Sequence, residues 1–257
     1  MNTKFKYYDK THLDIYDAYQ QALIHRDYIA HCHRWSFIVN YLEKRDRKYK
    51  NDERYKHARI LDVGCGKQVP LYRTLCANRL SGVQSYTGVD INNLNYAHER
   101  FVNSKRKTKP LLLGETDILD VDETDANLIT CFEMLEHVPQ DVSAKVIKHL
   151  FDISHEDAVF IASTPCFNGK KAKNHPQELT RDEMKQMLLD AGWVITENFG
   201  TFASRNDLYK HLNIEQKMVY DGLKRYYDAD VMSTIFAPLY PQHSRNNLWV
   251  CSKGDNQ

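Results

Sequence analysis

The 257 residues set 35 Lys and Arg against 34 Asp and Glu, a formal net charge of +1, which gives no overall electrostatic case for a polyanionic partner. The N-terminus, MNTKFKYYDK, has no signal-peptide core, and no apolar run reaches membrane-spanning length, so a soluble cytoplasmic protein with no membrane contact is expected. The six cysteines, at positions 32, 65, 76, 131, 166 and 251, form no CxxC pair and read as reduced thiols rather than a disulfide frame or a zinc site.

Residues 12–43 have a helical pattern. Trp35, Ile38, Val39 and Leu42 follow the spacing of one buried face. The tract EKRDRKYKNDERYKHA, Glu43 to Ala58, is almost free of apolar residues and predicts a charged helix end and a linker with a solvated surface. Residues 1–58 are therefore expected to form an N-terminal helical cap, and 59–257 the main domain.

From Arg59 the pattern turns to short β-rich runs separated by periodic or polar segments. Candidate strands are Ile60–Val63, Ser85–Val89, Leu111–Leu113, Asn127–Phe132 and Ala158–Ser163. Such alternation predicts an α/β domain with a parallel sheet covered on both faces. A basic loop, CFNGKKAKNHPQEL, comes next. Thr180 to Glu183, TRDE, is a capping box that opens a helix with Met184, Met187, Leu188 and Ala191 on one face and a stop at Gly192. Two more strands are predicted near Trp193–Phe199 and Asn247–Ser252. Between them residues 201–245 form a Tyr-rich, mostly helical insertion, much longer than a hairpin needs, which is expected to be a functional cover or an oligomer contact.

The first strand runs into RILDVGCGKQVP. Asp62 stands just before the turn, and Gly64 and Gly66 allow backbone to approach a ligand closely. Asp90 ends the next strand in YTGVDI, where a carboxylate can accept from ribose hydroxyls, and Asp117 follows the third in GETDIL. In order and spacing, ILDVGCG, GVDI, TDIL and CFEMLEHV resemble the motifs of class I S-adenosylmethionine-dependent methyltransferases over about Arg59 to Phe199. The resemblance implies a three-layer Rossmann-like fold, with a seven-stranded, mostly parallel sheet whose last strand is antiparallel. It also implies S-adenosylmethionine as cofactor. Asp62, Gly64 and Gly66 would surround its methionine arm, Asp90 would hold the ribose, and Asp117 with Ile118 would border the adenine. Ile91 and Phe132 would complete the site. Gln68 stands where dinucleotide-binding turns often carry a third glycine. S-adenosylmethionine has no pyrophosphate to seat on the helix N-terminus, so the departure is tolerable.

An oxygen acceptor needs a base or a metal to make it nucleophilic. FEMLEHVP supplies Glu133, Glu136 and His137, and His175 lies in the loop after the fifth strand. Two carboxylates and two imidazoles could bind Mg²⁺, Mn²⁺ or a similar ion. The set resembles the metal site of RNA 3′-terminal 2′-O-methyltransferases, and its E-x-x-E-H part that of metal-dependent quinone-pathway O-methyltransferases. The plainer reading makes Glu136 and His137 structural, since E-x-L-E-H-V is widespread among methyltransferases. No D/N-P-P-Y/F follows the fourth strand, which argues against exocyclic-amine methylation of DNA bases by that route.

Lys170, Lys171 and Lys173 should border the acceptor cleft, where they could attract phosphates or be simply solvated. The expected function is O-methylation of a small hydroxylated molecule or of a nucleotide or nucleic acid. The alternative is a catalytically silent cofactor-binding subunit. The sequence does not fix an oligomeric state.

Overall fold

The computed structural model describes residues 26–49, 52, 57–78, 82–102, 109–122, 124–203 and 205–254. Residues 12–25 of the expected N-terminal helix, and 50–51 and 53–56 of the expected linker, lie outside that set.

A single sheet of seven strands organises the chain: β1 (Ala58–Val63), β2 (Val83–Val89), β3 (Leu111–Leu113), β4 (Leu128–Phe132), β5 (Val159–Pro165), β6 (Val194–Ala203) and β7 (Ser244–Ser252). The spatial order is β3-β2-β1-β4-β5-β7-β6; β7 runs antiparallel to both β5 and β6, and the other pairs are parallel. This is the Rossmann-like arrangement expected from the sequence.

The central strands β1, β4 and β5 are buried on both faces, as a parallel sheet requires. Leu61, Val63, Ile129, Cys131 and Phe160 face one core with helices α4 (Gln140–Ile153) and α5 (Arg181–Asp190). Ile60, Leu128, Ile161 and Val250 face the other, with α1 (Arg26–Lys48), α2 (Pro70–Ala77) and α3 (Asn95–Val102). On α5 the capping box forms as read: Thr180 Oγ1 accepts from the Glu183 amide and Glu183 Oε2 accepts from the Thr180 amide. Gly192 takes the left-handed φ of +99° that a helix stop needs.

Two expectations are refined. Helix α1 runs on to Lys48, and within the charged tract Arg45 is buried rather than solvated, donating to Asn127 Oδ1 at 3.4 Å. The insertion starts later and ends earlier than read, because β6 extends to Ala203 and β7 begins at Ser244. It contains α6 (Arg205–His211), α7 (Ile214–Leu223) and α8 (Ala229–Ile235), closed by two short 3-10 turns, around a small core of Leu208, Leu212, Tyr220, Met232 and Phe236. Helix α8 and β6 in turn meet α1, so the insertion leans on the N-terminal helix at one end of the sheet. All six cysteines are free thiols. Among the described residues no helix is long and apolar enough to cross a membrane.

Candidate active site

The carboxyl ends of β1, β2, β4 and β5 open onto two adjoining cavities that share Gly64, Gly66, Glu133 and His137 as common wall. Among the described residues three that are not glycine take a left-handed φ, Val69 at 49°, Glu115 at 52° and Glu133 at 53°, and Glu133 lines both cavities. Such strained positions persist where the surroundings over-determine them, typically at functional sites.

The glycine-rich turn lines both cavities, and the smaller one adds Asp90, Ile91, Asp117 and Ile118 to it. Gly64 has φ +70°, and a Cβ there would lie 2.9 Å from Met134 Cβ; Gly66 has φ +71°. Asp90 Oδ1 accepts from the amide and side chain of Asn92, both at 2.8 Å, and Oδ2 from the Gly66 amide at 2.8 Å. A carboxylate has about four acceptor positions, so one remains for a ribose hydroxyl. Asp117 caps the short turn Ile118–Asp120 through the Leu119 amide, which holds Asp117 and the buried Ile118 on the far wall. Ile91 lines the same cavity. A floor that only glycine can form, a part-free carboxylate and an apolar wall fit the adenosine half of S-adenosylmethionine.

Asp62 and Phe132 face the larger cavity instead. The Asp62 carboxylate is buried under the hydroxyls of Tyr86 and Thr130, both donating to it, the latter at 2.7 Å. Burial pushes its pKa up to about 6 in spite of those bonds, and the nearby Asp90 charge adds to the rise.

The larger cavity, about 500 Å³, carries the chemistry-bearing side chains. The two glutamates of FEMLEH do not share a face. At its left-handed backbone, Glu133 turns towards β5 and β7, where Ser163 Oγ donates to Oε1 at 2.7 Å and Asn246 Nδ2 reaches both carboxylate oxygens at 2.9 Å. Glu136, in the 3-10 turn Leu135–His137, is buried, and among the described residues its Oε2 has no hydrogen-bond partner. Burial, and then the Glu133 charge, hold its carboxyl well above the usual range. His137 Nε2 lies 4.0 Å from Glu136 Oε1, and the His137 and His175 rings meet edge to face at 4.9 Å.

His175 is fixed by a residue that the sequence reading missed. Its Nδ1 lies 2.8 Å from Glu178 Oε1, which also accepts from the Ala172 amide at 2.9 Å. Against an ionised carboxylate Nδ1 is the donor, and in the neutral imidazole of that tautomer Nε2 is the acceptor. The i, i+3 spacing of His175 and Glu178 was the available signal. Arg34, Asn246 and Ser163 were missed too. Arg34 alone left a trace, because it lies on the same helical stripe as Ile38 and Leu42.

Glu136, His137 and His175 each offer a ligand-type atom, and these lie within 4.8 Å of one another. Glu133 stands outside that group. An orphaned buried carboxylate oxygen and two imidazoles, one backed by a carboxylate, fit a divalent cation. The mixed nitrogen and oxygen donors suit Mn²⁺ or another borderline ion better than Mg²⁺, which prefers oxygen.

A glycine-floored cofactor pocket beside an acid- and imidazole-lined cavity, on this sheet order, defines a class I S-adenosylmethionine-dependent methyltransferase. The chain belongs to the methyltransferase domain family, whose model matches residues 35–198. It resembles the magnesium protoporphyrin IX methyltransferase of Synechocystis PCC 6803, solved with bound S-adenosylmethionine, with a TM-score of 0.56 and 14% identity over 98% of this chain and 92% of that one. It also resembles the cyclopropane synthase MmaA2 of Mycobacterium tuberculosis, with a TM-score of 0.52 and 14% identity over 77% and 78%. A ubiquinone biosynthesis O-methyltransferase of Hydrogenovibrio crunogenus (strain DSM 25203 / XCL-2) is 31% identical over 96 residues, 35% of this chain; the match spans only 38% of that protein.

Proposed function

We propose that the enzyme methylates a hydroxyl group of a small molecule, or of a single nucleotide unit, seated in the larger cavity. The observation that carries this reading is the Glu136–His137–His175 cluster, which lines the larger cavity, with His137 also on the wall shared with the smaller one. S-adenosylmethionine, when bound, supplies the electrophilic methyl group. The acceptor hydroxyl must then lose its proton, and His175 is equipped to take it: Nε2 is the free acceptor, and Glu178 stabilises the imidazolium that results. His137 and Glu136 would orient the hydroxyl. With a divalent cation held by Glu136, His137 and His175, the His175 Nε2 lone pair would serve as a ligand instead, and the cation would take over the activation by lowering the pKa of that hydroxyl. The oxygen-methylating relative supports an oxygen acceptor. A cavity of about 500 Å³ admits a small molecule or one nucleotide and not a duplex. The exposed Lys170, Lys171 and Lys173 at its rim leave room for a longer phosphate-bearing chain outside.

The test is transfer of labelled methyl from S-adenosylmethionine into separate pools of DNA, RNA and small metabolites, with Mg²⁺ or Mn²⁺ and with EDTA. Label in small molecules or RNA is the expected result, with loss in EDTA if a cation takes part. Full transfer by metal-stripped enzyme in excess EDTA would dispose of the cation. Cofactor binding without label in any pool would favour a silent binding subunit.

A further inference from the structure

Arg34 lies on α1, one turn before Ile38 on the helix face that enters the core, and is 1% exposed. It is also part of the wall of the larger cavity. A guanidinium carries five N–H donors and cannot shed its charge. Among the described residues Arg34 makes one hydrogen bond, a long one, from Nη1 to Asn246 Oδ1 at 3.3 Å. Its Nε is buried without a partner.

The nearby carboxylate does not fill this need. Glu133 Oε1 stands 3.7 Å from Nη1, beyond hydrogen-bond range, and already receives bonds from Ser163 and Asn246. Asn246 Oδ1 is shared with Thr201 Oγ1, which donates at 2.6 Å. Glu133 thus offsets charge without supplying acceptors. Burying a guanidinium with empty donors is costly unless something else completes it.

The surroundings say what could. His31 and Trp35 stack at 5.5 Å beside Arg34, and both line the cavity. Burial, and then the Arg34 charge, push the His31 imidazole well below its ordinary range, so it stays neutral and can donate or accept. Lys67 is exposed at the cavity mouth. An aromatic wall, a buried planar cation and a neutral imidazole form a socket for a planar or phosphorylated anion.

We infer that Arg34 anchors an anionic group, a carboxylate or a phosphate, carried by the methyl acceptor. The inference rests on the assignment of the larger cavity to the acceptor. The rigid fork of Arg34 binds either oxyanion through paired N–H bonds, which a lysine cannot reproduce. An acceptor so held would be fixed at one end by charge, with its hydroxyl left to face His175.

The experiment uses ¹⁵N-arginine-labelled enzyme saturated with S-adenosylhomocysteine. The Arg34 Nε–H resonance is assigned by its loss in Arg34→Lys. Inorganic phosphate and acetate are titrated separately, with chloride at matched ionic strength as control. A saturable shift with phosphate or acetate, and none with chloride, is expected; the anion that acts at lower concentration identifies the group. No shift, or the same shift in chloride, overturns the inference. Once labelled transfer has yielded an acceptor, Arg34→Lys should raise its KM about 10- to 100-fold with kcat changed less than about threefold. A labelled product without an anionic group also overturns the inference. If no pool takes up label, the proposed function fails by itself, and the phosphate and acetate titrations still decide the role of Arg34.

Discussion

The proposed cofactor half and the proposed acceptor half of the site are built in different ways. The cofactor half is made by main chain. Gly64 and Gly66 hold left-handed backbone, and the Asp90 and Asp117 carboxylates are pinned by amides within two residues or in the adjoining turn. The acceptor half is made by side chains from distant stretches: Arg34 on α1, Glu136 and His137 after β4, His175 and Glu178 after β5, and Asn246 on β7. Main chain gives a site that tolerates drift in the neighbouring side chains. Side chains from several elements give a site that can be re-specified residue by residue, at the cost of burying charge. One half is suited to a constant ligand and the other to a particular one.

That division predicts separable losses. Replacing His175 by Ala removes the best-placed proton acceptor and should lower labelled methyl transfer by about 10²- to 10⁴-fold. S-adenosylhomocysteine affinity, measured by calorimetry, should stay within about threefold, because His175 does not line the smaller cavity and meets it through the His137 ring. Equal losses in both quantities would mean that the two halves form one unit. The reciprocal change is Gly64→Val. It forces a β-branched residue to φ +70° and sets its Cβ 2.9 Å from Met134 Cβ. Cofactor affinity should fall about 10- to 100-fold. Binding at wild-type strength would show that the turn is not the cofactor floor.

The same division explains what could be read from the sequence. The strands from β1 to β5, the antiparallel β7 and the capped α5 were legible, because short β-rich apolar runs, a capping box and a stop glycine are local signals. Asp90 and Asp117, which the resemblance gives to the cofactor, could be named for the same reason, since each follows a strand. The acceptor half was legible only in part. His137 and His175 could be named, but their meeting depends on how the loop after β5 folds back, and that loop is held by Glu178. Glu133 was read with Glu136, His137 and His175 as one set of ligand-type residues, but it stands outside the group that the other three form. Its backbone is left-handed, and no pattern in the sequence signals a positive φ at a glutamate. Phe132, which the resemblance gave to the cofactor, lines the larger cavity.

Asp62 sharpens the comparison, since it belongs to the cofactor motif but behaves as a core residue. A carboxyl raised to about 6 keeps a proton in the folded protein that the unfolded chain has already lost. Its contribution to stability is therefore full below about pH 4 and falls as pH rises through 6, by about 3 kcal/mol in all. Asp62→Asn removes this slope. It also leaves the Tyr86 or the Thr130 hydroxyl without its acceptor, a cost that does not vary with pH. Denaturant titrations at several pH values from 4 to 7 should show wild type losing its advantage over the variant as pH rises. Parallel curves would place the ionised form comfortably in the fold.

The smallest effect expected lies outside both halves. Thr180 caps α5 directly after the loop that carries His175 and Glu178. Thr180→Ala leaves the Glu183 amide without its side-chain acceptor and should cost about 1 kcal/mol of stability. Methyl transfer should stay within about twofold of wild type, because the loop has anchors of its own. Glu178 accepts from Ala172 and His175, Arg245 Nη1 donates to the Cys166 carbonyl at 2.8 Å, and the Phe167 amide donates to the Leu179 carbonyl at 2.9 Å. These contacts hold the imidazole whether or not the following helix frays by a turn. A loss of transfer as deep as that of His175→Ala would instead make the helix cap a determinant of the acceptor half, and the site would then depend on α5 as much as on its own loop.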